Sequence, residues 1–172
     1  PLPEAGFDAV ISRFGVMFFA DPRAAFTNLR KALAPGARLA FVCWQAARAN
    51  PWMAVAGAAV QPYLPAPATP PDPHAPGPFA FADADHVAGI LTDAGFDDVA
   101  LEDFRTTLKL ADDLDEAMEF QGQVGPLARA LADLEGERQA RALAAAREAL
   151  AAHLDEDGLK LGAACWFVSA RG

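Results

Sequence analysis

The feature that most constrains this chain is a strand–helix–strand unit written into its first 44 residues. Phe7 to Ser12 is short, β-branched and apolar on both sides, the pattern of a strand buried on two faces. Asp21-Pro22 then marks a helix start: the Asp carboxylate can accept from orphan amides, and Pro at the first helical position loses no hydrogen bond. Phe26, Leu29 and Leu33 recur at helical spacing, and Pro35-Gly36 is expected to end the element. Arg38 to Trp44 reads as a second buried strand. Short connections between these elements predict a right-handed βαβ unit with parallel strands.

The rest of the chain extends the alternation. A short Ala-rich helix is expected from Asn50-Pro51-Trp52 to about Val60. Residues 62–79 hold eight prolines, which excludes regular helix or a central strand there and leaves an exposed connector or a lid. Val87, Ile90, Leu91 and Ala94 share one face of a helix capped by Asp83 or Asp85 and ended by Gly95. Val99 to Phe104 reads as a strand, and residues 112–154 as two or three helices inserted before a final strand, Lys160 to Ala170. Strands alternating with helices predict an α/β sheet. The 172 residues fit a single domain large enough to bury a core without staples.

Composition narrows the function. Fourteen basic against 23 acidic side chains leave a formal charge of −9, so no broad positive field exists for nucleic acid or an anionic membrane. No apolar run approaches the ~20 residues that cross a bilayer. Cys43 and Cys165 sit in apolar stretches and do not form a disulfide framework, which points to a reducing cytoplasm. His74, His86 and His153 show no metal-ligand spacing, so no metal is expected. Nucleophile-elbow and phosphate-loop motifs are missing from the sequence. The acidic clusters Asp97-Asp98, Asp112-Asp113 and Asp155-Glu156-Asp157 fall at turns and helix ends and read as caps and solvated faces.

Several segments, in order, carry a resemblance. Phe7-Asp8-Ala9-Val10-Ile11-Ser12-Arg13-Phe14-Gly15-Val16-Met17-Phe18-Phe19 followed by Asp21-Pro22 resembles the fourth strand and following loop of class I S-adenosylmethionine-dependent methyltransferases, nearest the ubiquinone/menaquinone C-methyltransferase group. Leu33-Ala34-Pro35-Gly36-Ala37-Arg38-Leu39 resembles the family's Leu-x-Pro-Gly-Gly-x-Leu, with Ala37 in place of the second Gly. Asp93-Ala94-Gly95-Phe96 resembles the turn before the sixth strand, and Gly162 to Trp166 the closing strand.

The resemblance implies a partial Rossmann-like methyltransferase sheet: its last strands, mixed with an antiparallel C-terminal strand, plus the inserted helices. It also implies that this chain carries the acceptor-side half of the fold. The Gly-rich turn after the first strand and the acidic residue after the second, which hold the donor in such folds, have no counterpart among the 172 residues. The chain opens on Pro1 and enters an apolar run almost at once. The expectation is therefore a fragment or processed chain, with S-adenosylmethionine the cofactor of the complete protein.

By the same resemblance, Ser12 and Arg13 contact the cofactor, while Phe14 and Met17 form its apolar wall. Trp44, Asn50, Trp52 and Met53 are the candidates for a small, flat or apolar acceptor, Asn50 doubling as a helix cap. Phe18 and Phe19 read as core. A first strand lacking its inner neighbour would expose unpaired backbone, which predicts a homodimer or swapped assembly through Phe7–Ser12. Two other readings stand beside this one: a non-catalytic interaction domain of methyltransferase ancestry, and an oxidoreductase of the dinucleotide-fold type.

Overall fold

A computed structural model describes residues 2–66, 72–123 and 125–172. The element order is β1 (Phe7–Arg13), α1 (Pro22–Ala32), β2 (Leu33–Trp44), α2 (Pro51–Val60), α3 (Ala84–Asp93), β3 (Asp97–Ala111), α4 (Leu114–Gln123), α5 (Pro126–Ala132), α6 (Gly136–Ala151), β4 (Leu154–Asp155) and β5 (Gly158–Arg171). Part of the Pro-rich segment, residues 67–71, lies outside the described residues.

The strands run in the order β1-β2-β5-β3, with β4 paired to β5. β1 and β2 are parallel, Val10 opposite Leu39 and Ser12 opposite Phe41, as the βαβ unit requires. β5 enters antiparallel to β2, Phe41 opposite Val168, so the last strand in sequence occupies the interior of the sheet. The mixed α/β sheet expected from the sequence is present.

The backbone falls into two compact units. The first comprises residues 1–46, 71–104 and 164–172; the second comprises 47–70 and 105–163. In the first unit, Ala37, Leu39, Phe41 and Cys43 of β2 and Val168 and Ala170 of β5 point to one face. They bury there against Phe26 of α1 and Val87, Ile90 and Leu91 of α3. Phe26 is fully buried, its ring 5.6 Å from Phe41, 5.8 Å from Phe19, 6.1 Å from Phe81 and 6.4 Å from Phe96. Both helices begin as their sequences dictate. The Asp21 carboxylate accepts from Ala24 N at 2.9 Å, and that of Asp83 accepts from Asp85 N and His86 N at 2.9 and 3.2 Å. Gly95, at φ +87°, turns the chain out of α3.

The opposite face of this sheet is bare among the described residues of the unit. Ladder pairing places Ala9, Arg38 and Arg171 in one row, Ile11, Ala40 and Ser169 in the next, and Arg13, Val42 and Phe167 in a third. Ile11 is 84 % exposed, and Phe7, Phe104 and Phe167 about two-fifths exposed. β1 has the pattern of a two-face-buried strand, yet it occupies an edge with one neighbour and one open side.

In the second unit, α2 is apolar nearly all round, and Trp52, Met53, Ala56 and Val60 are buried where it packs on α5 and α6. The Gln121 side chain donates to the carbonyl of Trp52 at 2.6 Å. Residues 105–111 of β3 meet the start of β5 so closely that a Cβ on Gly158 would lie 2.4 Å from the Ala111 carbonyl oxygen.

Candidate functional site

The parallel strands β1 and β2 end side by side, and in open α/β sheets ligands bind beyond such carboxyl ends. At this edge the backbone is unusual. Phe14, the residue after β1, sits at φ +56°, a left-handed conformation that costs a bulky side chain about 1–2 kcal/mol. Two contacts hold it there. Its N–H donates to Val42 O at 3.0 Å, and its ring stacks on Trp44, centroids 4.0 Å apart and planes 11° from parallel. Both rings are half-buried against the core. The turn lets Gly15 come close to Ser12: a Cβ at Gly15 would sit 3.2 Å from the Ser12 hydroxyl oxygen.

The structure therefore brings Ser12, Arg13, Phe14 and Trp44 to one edge. Ser12 is partly exposed and Arg13 exposed. Met17 lies one short turn further on, in a 3-10 turn over Val16–Phe18, and its side chain is 1 % exposed within the core. Its carbonyl accepts from Gly77 N at 3.1 Å. The other three candidates lie in the second unit and are all buried. Asn50 occupies the N-cap position of α2, where its carbonyl accepts from Met53 N and Ala54 N, while its side chain makes no capping bond. Phe19 packs on the core as expected; Phe18 is about half exposed.

Two features of this edge escaped the sequence. Gln45, directly after β2, is buried and donates from Nε2 to Asp103 at 2.5 Å and to the Cys165 carbonyl at 2.9 Å. A polar residue closing an apolar strand was the available signal. The second is the tie between Gly77 and Met17, which joins the end of the Pro-rich segment to the loop after β1. The two cysteines are free thiols. Burial, with a smaller contribution from Cys165, pushes Cys43 up to about 12, and burial pushes Cys165 up to about 11. Both are protonated and inert near neutrality. No group of three or more metal-ligating side chains occurs among the described residues.

Residues 1–41 match the family model described as a methyltransferase domain. No curated protein matches the chain significantly. Among solved structures, the YcgJ protein of Bacillus subtilis is 12 % identical with a TM-score of 0.56, the match covering 99 % of this chain and 66 % of that one. A Bacillus halodurans C-125 protein assigned as a methyltransferase is 13 % identical, TM-score 0.54, with 99 % and 72 % covered. Phosphoethanolamine N-methyltransferase 2 of Haemonchus contortus, solved with phosphomonomethylethanolamine and S-adenosylhomocysteine, is a weaker match. It is 16 % identical with a TM-score of 0.46, covering 99 % and 35 %. The chain thus spans about two-thirds to three-quarters of the two better-matched proteins, and the fold it shares with them is a methyltransferase fold.

Proposed function

We propose that this chain, with its methyltransferase fold, is the acceptor-side half of an enzyme moving a methyl group from S-adenosylmethionine to a small, largely apolar acceptor. The observation that carries the reading is the order β1-β2-β5-β3 with β5 antiparallel, beside a methyltransferase-domain match over residues 1–41. The bare sheet face fits it: a sheet with parallel strands is normally covered on both sides, and here one side has a helical layer and the other none from the same unit.

The residues at the carboxyl edge suit one end of the donor. An S-methyl sulfonium is a cation, and an aromatic face stabilises a cation by about 0.5–2 kcal/mol, a part the Phe14–Trp44 stack can play. The Gly15 turn leaves room for close approach beside the Ser12 hydroxyl, and Arg13 can pair with a carboxylate. A grip for the nucleoside end is missing from the described residues, as no glycine-rich turn follows a strand. The fit is therefore to the sulfonium end alone, and the donor-gripping half is assigned to residues beyond these 172. Methyl transfer is an in-line displacement for which the protein chiefly aligns donor and acceptor and excludes water. Here Phe14 and Trp44 supply the apolar wall. Asn50, Trp52 and Met53, the packed start of α2, are kept as acceptor-side candidates of the second unit taken by itself.

In isolation the open β1 edge is proposed to pair with a second copy. No helix among the described residues is long and apolar enough to cross a membrane, and the two free thiols favour a reducing compartment. Calorimetric titration with S-adenosylhomocysteine tests the enzyme reading. The 172-residue chain is expected to bind at least about 100-fold more weakly than the polypeptide extended through its upstream coding sequence, a difference of about 2.7 kcal/mol. An extended polypeptide that also fails to bind overturns the reading in favour of a non-catalytic interaction domain presenting the bare sheet face.

A further inference from the structure

Just before α3 the chain forms a strap, residues 72–82, anchored unequally at its two ends. At the far end Phe81 is 1 % exposed in the core, its carbonyl accepts from Cys43 Sγ at 3.9 Å, and the Ala82 carbonyl accepts from Trp166 Nε1 at 3.0 Å. In the middle, Gly77 is buried and makes the tie to the Met17 carbonyl. At the near end, a turn closed by Asp72, which accepts from His74 N at 2.9 Å and from Ala75 N at 3.2 Å, lays the His74 ring on that of His86 in the first turn of α3. The centroids are 3.7 Å apart and the planes 21° from parallel. Apart from this stack, residues 72–76 are exposed.

We propose that the His74–His86 stack is a proton-sensitive latch, holding the strap against the Met17 loop when the His86 ring is neutral and releasing it when that ring takes up a proton. Two neutral imidazoles attract at this separation by dispersion; two imidazolium cations repel. The groups facing His86 decide where this happens. Burial, then His74, and also Arg23 from α1 oppose its protonation, whereas Asp83 from its own helix and Asp72 from the strap favour it. The net direction is down from the ordinary value of 6.5.

The sign follows from linkage. A base held below its free value binds fewer protons while the latch is closed than when it is open, so closure is complete above that value and weakens as pH falls through it. Release frees the Met17 carbonyl and with it the loop that begins at Phe14. The edge where ligands would bind is therefore tightened at neutral pH and loosened in acid. The device stands whether or not the chain transfers methyl groups.

Amide exchange by NMR, corrected for intrinsic rates, tests it. Between about pH 7.5 and pH 5.0 the protection of Gly77 N–H is expected to fall severalfold, while Leu91 in the core of α3 keeps its protection. His74→Phe preserves a stacked ring and removes one of the two leading causes that oppose His86 protonation, so the fall at Gly77 should be smaller than in the parent chain. Flat protection in the parent chain, a parallel fall at Leu91, or an unchanged pH response in His74→Phe each overturns the latch.

Discussion

Phe14 shows how one residue joins local cost to site geometry. Its left-handed backbone is unfavourable for any residue with a Cβ, and the offsetting gains are the bond to Val42 and the ring on Trp44. Removing the ring alone and removing the Cβ as well should therefore differ in an unusual order. Phe14→Ala keeps the backbone penalty and loses the stack, whereas Phe14→Gly loses both. We expect Phe14→Gly to be more stable than Phe14→Ala by about 1 kcal/mol, reversing the usual Ala-over-Gly order outside turns. Urea unfolding measures this, and equal midpoints would mean the left-handed backbone carries no cost. The sequence placed Phe14 and Trp44 at neighbouring strand ends but could not show that they touch, because that contact depends on a backbone angle no side-chain pattern encodes.

Among elements, the parts legible from sequence were those with strong local chemistry. Asp21-Pro22 and Asp83 start their helices, and Gly95 ends one, because capping is decided within a few residues. Elements settled by distant partners were misread. Pro35-Gly36 was expected to close α1; the helix ends at Ala32, and Leu33 instead pairs with Phe7. The irregularity in that ladder is absorbed near Gly36, at φ +76°, whose N–H donates to the Gly172 carbonyl at 2.7 Å. β3 runs to Ala111 rather than Phe104, through Arg105-Thr106-Thr107, since pairing with β5 overrides a polar local pattern. β4 was missed altogether, because Leu154 continues the helical spacing of α6 while the chain in fact turns at Ala152–His153. Gly158 shows how tightly this hairpin is specified. Gly158→Ala would drive a methyl into the Ala111 carbonyl at a φ of +102°, and should cost at least about 2 kcal/mol in thermal or chemical unfolding. A loss of a few tenths would show that the hairpin can shift to admit the methyl.

For the whole molecule, the open face and edge of the first unit dominate. Ile11, the most exposed of the large apolar side chains among the described residues, lies on an edge strand, where exposed backbone and apolar surface together favour pairing between chains. The isolated chain is expected to be dimeric or larger at micromolar concentration by light scattering. Ile11→Lys, which places a charge on the edge as natural edge strands do, should shift it toward monomer. A monodisperse monomer in the parent chain would show that the edge is protected in a way its exposure does not reveal. The sequence anticipated this exposure from the absence of a second neighbour for β1, since strand pairing can be counted. It did not anticipate that one face of the first unit's part of the sheet is left open as well.

The placement of β5 also bears on synthesis. A ribosome emits β1, β2 and β3 well before the residues that belong between the latter two, so the nascent chain must keep a slot vacant until residues 158–171 emerge. The Gly172 N–H closes that slot on the Ala37 carbonyl at 2.8 Å. A chain cut at about residue 160 would leave β2 and β3 without the strand that joins them, and such a truncation should produce inclusion bodies rather than a shortened but foldable protein.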